Sequence, residues 1–439
     1  MTLAQDFVVN IKQKINSLLR NQDIKNFIGN LGIVFVFRFL TAVLSVISLV
    51  LAARYLGAVS VGNITMIQNT AYLLYIPMCF GVNSSIIKYL PFCNEGESDE
   101  LLGSVCVWNL ALTVLFSVFY WLFHSYFNSF LGFSSMQLLL TVLMAVMINF
   151  SMITDAILRT KKRFFTLGSI KMAGSLVFFT FTIISSVIMK NYIYFVVGII
   201  VNQFIVVIWS ISTIKFKKIR FSIKTSKIIY KYGGINTVSS VLCYIMFSSD
   251  LYIVNHFCSS YDVGIYSLYQ VNVKNFFNMM FHEIFAVVFL PTIVKMDTMR
   301  LYKRVRSLLP VLLPLAVLAN IALSVSMLLM YGKSYTINWV YVLLISTALG
   351  FHFVYWVLNS VFTVEGKKGA LVCLAGLGIP MPVLIFLSIT FTRLWGITGL
   401  LVSSLITQIV LIGMFILIIK YKHLNTKSGS FEDAGILEK

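Results

Sequence analysis

Lys274, His282 and Glu283 lie inside a stretch, residues 263–291, that otherwise reads as a helix apolar enough to cross a bilayer. At about 100° per residue, Gln270, Lys274, Asn278 and His282 step down one side in an i, i+4 ladder, while Phe276, Met280 and Phe289 dominate elsewhere. A lysine about a dozen residues into such a span sits roughly 15 Å from either boundary, too deep for easy snorkelling. The stripe must face water, protein or a polar ligand, so Lys274 is expected to line a cavity and offer it a fixed positive charge. The competing reading is a structural ion pair with Asp250 or Glu283.

A second polar stripe lies on the first apolar run, where Arg38, Thr41, Ser45 and Ser48 fall within an arc of about 80°. Arg38 either snorkels to nearby headgroups or faces the same cavity as Lys274. Gln68, Asn69, Thr70 and Tyr72 give the second run the polarity of a cavity wall, and Asn236, Ser239, Ser240, Cys243 and Asp250 share one face of the seventh. Asp250, His282 and Glu283 are the groups that could titrate or hold a coupling cation, and each serves equally well as a paired structural group. Asp155 and Arg159, spaced i, i+4, are expected to form a structural pair. Lys171 is expected to snorkel, and His352, beside Trp356 and Asn359, to be a packed, hydrogen-bonded histidine. The acids Glu95, Glu97, Asp99 and Glu100, with Ser98, are expected to cap the third helix rather than bind metal. Phosphate-binding glycine loops and nucleophile elbows are absent from the sequence, so no ATP hydrolysis or other enzyme chemistry is expected, and no cofactor.

These residues need membrane-spanning helices to hold them. Of 439 residues, 59% are hydrophobic and 11% charged, with a mean hydropathy of +0.90, which no soluble globular composition matches. Runs long enough to span fall at roughly 31–53, 63–86, 101–123, 136–158, 167–189, 192–214, 233–256, 263–293, 307–330, 337–362, 369–391 and 395–420, giving an all-α polytopic fold of twelve helices. Before them, residues 1–30 read as an interfacial amphipathic segment rather than a cleaved signal. The net charge of +19 could suggest a nucleic-acid partner, yet 27 of the 34 Lys and Arg fall in the N-terminus, alternate loops and C-terminus, against four in the other loops. That asymmetry predicts N-in, C-in topology and explains the charge without nucleic acid.

The basic linker 215–232 divides the runs into an N-lobe, 31–214, and a C-lobe, 233–420, followed by a cytoplasmic tail, 421–439. An offset of 202 pairs Val61-Gly62 with Val263-Gly264 and Ala173-Gly174 with Ala375-Gly376. Weak similarity at a near-constant shift, with an even number of spans per unit, predicts two pseudo-symmetric six-helix lobes and a central cavity as the substrate path.

Ala53-Arg54-Tyr55-Leu56-Gly57 followed by Val61-Gly62, then Asp250 before Gly264-Ile265-Tyr266-Ser267, then Leu394-Trp395-Gly396-Ile397-Thr398-Gly399, resembles the polysaccharide exporters of the MOP (multidrug/oligosaccharidyl-lipid/polysaccharide) superfamily, Wzx-like O-antigen flippases in particular. The resemblance runs from about residue 31 to 420 and implies a MATE-like fold in the bacterial inner membrane. It implies transfer of an undecaprenyl-pyrophosphate-linked oligosaccharide from the cytoplasmic to the periplasmic leaflet, with membrane lipids around it and a polysaccharide polymerase and chain-length regulator as partners. It also implies that Arg38 and Lys274, on the first and eighth helices, receive the pyrophosphate, while Thr41, Ser45, Gln68, Tyr72, Asn236, Ser240, Gln270 and Asn278 line the cavity. A cation-coupled multidrug antiporter of the same superfamily is the alternative, disfavoured by these cations. A membrane polymerase or ligase is a further one, and it would need a substantial outer loop, which the sequence lacks.

Overall fold

The computed structural model describes residues 22–214, 220–278, 298–363 and 367–426. Among them every regular element is helical. Residues 1–21 of the expected N-terminal amphipathic segment lie outside the described residues, as do His282, Glu283 and the end of the C-terminal tail, while 22–30 begin the first helix. The helices are α1 (Gln22–Cys79), α2 (Val82–Tyr89), α3 (Glu95–Leu122), α4 (His124–Leu131), α5 (Ser135–Thr160), α6 (Phe164–Ile183), α7 (Tyr192–Ile214), α8 (Ile223–Ser248), α9 (Asp250–Phe257), α10 (Ser260–Tyr266), α11 (Asn272–Phe277), α12 (Thr298–Tyr331), α13 (Trp339–Thr363), α14 (Lys367–Gly378) and α15 (Met381–Thr426).

The protein is a multi-pass membrane protein. Eight helical segments among the described residues are long and apolar enough to cross a bilayer, or nine when α8 and α9, bent by 46°, count as one broken span. Two of the eight are doubled. A straight helix of 58 residues would run to nearly 90 Å, about three times the hydrocarbon thickness. α1 is instead broken at Gly57 (φ 79°, ψ 172°) and α15 at Gly396 (φ 58°, ψ −138°). Both turns use backbone that side chains disfavour, and both follow a bulky apolar pair, Tyr55-Leu56 and Leu394-Trp395. The span expected at 263–293 continues past Asn278 into residues outside the description.

Helix starts are written locally. Asn94 and Glu97 form a capping box on α3, Ser134 and Gln137 on α5, and Ser259 and Asp262 on α10. The cap of α3 is therefore Asn94, not Ser98, because the box closes when the Glu97 carboxylate accepts the Asn94 backbone N–H at 2.9 Å. Outward faces are apolar: Leu308, Val311, Leu315 and Leu318 of α12 are each about half or more exposed. At helical spacing, such a stripe needs lipid against it.

The chain forms two compact units. One holds the described residues up to Leu56 and Ile67–Val238, and the other holds Gly57–Met66, Ser239–Asn278 and the described residues beyond 297. In the first, α5, α6 and α7 pack together, and Ile157, Leu158, Ile170, Val206 and Ile214 join Ile86 and Ile229 in its core. In the second, α13 packs against α12 and α15. Also in the second, Gly62 and Gly264, equivalent at the offset of 202, meet backbone to backbone: a Cβ on Gly62 would lie 2.9 Å from the Gly264 nitrogen, and one on Gly264 would lie 2.1 Å from the Ala58 carbonyl oxygen. Only small residues allow that crossing.

Candidate functional site

Among the described residues, each unit sets a carboxylate near basic side chains, the buried Asp155 in the first and the half-buried Asp250 in the second. In the first unit, Asp155 on α5 is 7% exposed and binds two partners directly: Arg159 Nε at 2.6 Å and Lys171 Nζ at 2.7 Å. Arg159 follows by one turn on the same helix, and α6 carries Lys171 back alongside it after the tight turn 161–163. Lys171 thus pairs with a neighbouring helix instead of snorkelling, because a carboxylate nearby costs less than dragging an ammonium stem to the boundary. Arg38 acts electrostatically on both Asp155 and Lys171, and its neighbour Phe37 packs on Gly168 of α6.

The second unit holds a polar chamber of about 40 Å³, room for on the order of three waters. Asp250, Gln270, Lys274 and His352 line it, together with Ser249, Ser388, Ser404, Thr407 and Gln408. The break between α8 and α9 explains how it is wired. At the end of α8 the last carbonyls lose their helical partners, and the Lys274 ammonium donates to one of them, that of Phe247. At the start of α9, Asp250 accepts the Leu251 N–H at 2.9 Å and the Tyr266 hydroxyl at 2.6 Å. The cation therefore sits at a negative helix end and the anion at a positive one. No carboxylate among the described residues lies within ion-pair distance of Lys274. His352 Nδ1 lies 3.2 Å from the Gln408 amide oxygen, the hydrogen-bonded state expected of it. Gln270 Oε1 is buried without a hydrogen-bond partner, an acceptor left open toward the chamber.

The structure thus brings Asp250, Gln270 and Lys274 together, in one unit. Asn278, one turn beyond Lys274, is not among the chamber's lining. The remaining expected residues lie elsewhere. The Thr41 hydroxyl returns to the carbonyls of Phe37 and Arg38, and Ser45 to that of Thr41. Asn236 donates to the Tyr232 carbonyl, Gln68 is half-buried, and Tyr72 and Ser240 are exposed. Ser404, Thr407 and Gln408 were not singled out from the sequence, although their i, i+3, i+4 spacing inside the last apolar run marks a polar stripe. No group of three or more His, Cys, Asp or Glu among the described residues could hold a metal ion.

Residues 27–297, more than half of the chain, match the family model described as polysaccharide biosynthesis protein. Among solved structures, the chain is similar to the lipid II flippase MurJ in an inward closed conformation, at 19% identity and a TM-score of 0.67, covering 88% of this chain and 87% of that one. It is also similar to a MATE transporter of Vibrio cholerae, at 12% identity and a TM-score of 0.65, covering 91% and 98%. A MOP superfamily transporter from Pyrococcus furiosus aligns at 12% identity and a TM-score of 0.60, covering 90% and 96%. At these identities the likeness establishes the fold. No curated protein matches by sequence.

Proposed function

We propose, from the premise that this chain belongs to the polysaccharide biosynthesis protein family, that it is a flippase for a lipid-linked oligosaccharide. The cargo in this reading is an undecaprenyl-pyrophosphate-linked O-antigen unit. It moves from the cytoplasmic to the periplasmic leaflet of the bacterial inner membrane by alternating access, the protein lying N-in and C-in, with a polymerase and a chain-length regulator downstream. One observation carries the reading: Lys274, in a run expected to span the membrane, lines a polar chamber with its ammonium on a helix-end carbonyl and no described carboxylate paired to it. Such a cation is costly in a membrane and is retained where something anionic visits.

A pyrophosphate carries about two negative charges, and its passage through hydrocarbon costs far more than thermal energy supplies. Lys274 and Arg38, each in its own unit, are the cations proposed to lower that cost, while the polyprenyl tail remains in lipid. Asp250 is the described group proposed to report or couple an ion gradient; His282 and Glu283 share that proposal from sequence alone.

Purified protein in liposomes with a defined lipid-linked oligosaccharide in one leaflet tests the reading. Transfer to the other leaflet is expected, and its absence with active protein would overturn it. The fold shared with MATE transporters favours a second reading, a cation-coupled drug antiporter. The Lys274 ammonium repels cationic drugs, so efflux of such drugs without oligosaccharide transfer would establish that reading in its place.

A further inference from the structure

The Asp155 cluster does more than its carboxylate requires. Two cations bind one acid directly, leaving one positive charge in excess where α5 and α6 meet, before Arg38 is counted. The cations also lie nearer the outside than the acid. The Arg159 and Lys171 side chains are 43% and 28% exposed, against 9% for Asp155. An approaching anion meets the Arg159 guanidinium first.

Arg159 meets Asp155 through Nε at 2.6 Å, and its planar guanidinium ends in two further nitrogens. Those two nitrogens form the fork that binds phosphate or carboxylate bidentately. The Lys161, Lys162 and Arg163 turn next to it is exposed, so the approach is electropositive as well.

We propose that Arg159 and Lys171 form a receiving site for the diphosphate headgroup of a polyprenyl lipid, with Asp155 as the counterion the headgroup displaces. The proposal rests on the flippase reading and adds residues and a sequence of events to it. In the empty protein Asp155 neutralises part of the cluster and keeps two cations tolerable in apolar surroundings. A headgroup with about two negative charges outcompetes a single carboxylate for the Arg159 guanidinium and for Lys171. Asp155 then loses its partners, and the α5–α6 junction registers that cargo is present. The same phosphate chemistry is offered by ordinary phospholipids with one charge each, and the test separates the two sources.

Undecaprenyl pyrophosphate and phosphatidylglycerol are titrated separately onto the purified protein and binding is read by native mass spectrometry. Lys171→Gln and Arg159→Gln are each expected to weaken diphosphate binding about fivefold or more, and Asp155→Asn to tighten it by a similar factor, because the competitor is gone. Weakening by Asp155→Asn would make the acid a structural post and overturn the proposal, as would equal responses of the two lipids. Arg159→Lys keeps the charge and the pairing while losing the fork, so it covers the case in which Asp155→Asn does not fold. It is expected to weaken diphosphate binding severalfold at unchanged melting, and wild-type binding would refute the fork. Diphosphate binding that only Arg38→Ala or Lys274→Met abolishes would remove this site and leave the flippase reading standing. No diphosphate binding by the wild type would remove both.

Discussion

In the first unit a carboxylate and two cations touch. In the second, Asp250 and Lys274 share a chamber, and each is held by something else. Both arrangements place charge inside apolar helices, and they solve the cost differently. Asp155 is stabilised by full charges at 2.6 and 2.7 Å, a rigid arrangement that is expensive to open from one side. Asp250 and Lys274 are stabilised by a hydroxyl, a backbone N–H and a backbone carbonyl at the two ends of a broken helix, so neither depends on the other. A charge held by dipoles can be lent to a ligand without breaking an ion pair, which is why Lys274 is the cation on which the proposed transport turns.

The difference is measurable. The largest expected effect is that of Asp155→Ala, which leaves Arg159 and Lys171 facing each other, at a cost of about 3–5 kcal/mol by unfolding in mixed micelles. Asp250→Ala strands the buried Tyr266 hydroxyl but no ion-paired cation, so about 1–3 kcal/mol is expected in the same assay. Equal losses at the two aspartates would mean that Lys274 depends on Asp250 after all. A double-mutant cycle sharpens this: Asp155→Ala with Lys171→Met should show a coupling of about 1–3 kcal/mol, and Asp250→Ala with Lys274→Met a clearly smaller one. The smallest effect belongs to Lys274→Met alone, within about 1 kcal/mol of wild type, since chamber water can satisfy the Phe247 carbonyl it leaves.

Much of this was legible from residue type, because charge in a hydrocarbon-spanning run is costly and stands out. Arg38, Asp155, Lys171, Asp250 and Lys274 all announce themselves that way, and Gly57 and Gly396 stand in motifs where the doubled helices break. Partnership was less legible. Lys171 reads as a snorkelling residue until α6 folds back and sets it on Asp155, a contact fixed by the packing of two helices and not by local spacing. The wiring of Lys274 to Phe247 depends on the 46° break at the end of α8, where no proline or glycine stands and only Ser248 and Ser249 hint at a turn. Gln270 lies in a π-turn, Ser267–Val271, which an ideal step of about 100° does not anticipate. The chamber's far wall, Ser404, Thr407 and Gln408, carried a readable polar spacing that the surrounding leucines and isoleucines obscured.

The central claim is that Lys274 carries the anionic headgroup and does not merely hold the fold together. The direct measurement is the rate of lipid-linked oligosaccharide transfer in liposomes for Lys274→Met beside wild type, at matched protein incorporation and matched unfolding stability. The account predicts a loss of about tenfold or more, as expected when one charge-assisted contact is removed. Transfer at the wild-type rate by a folded Lys274→Met protein would contradict it.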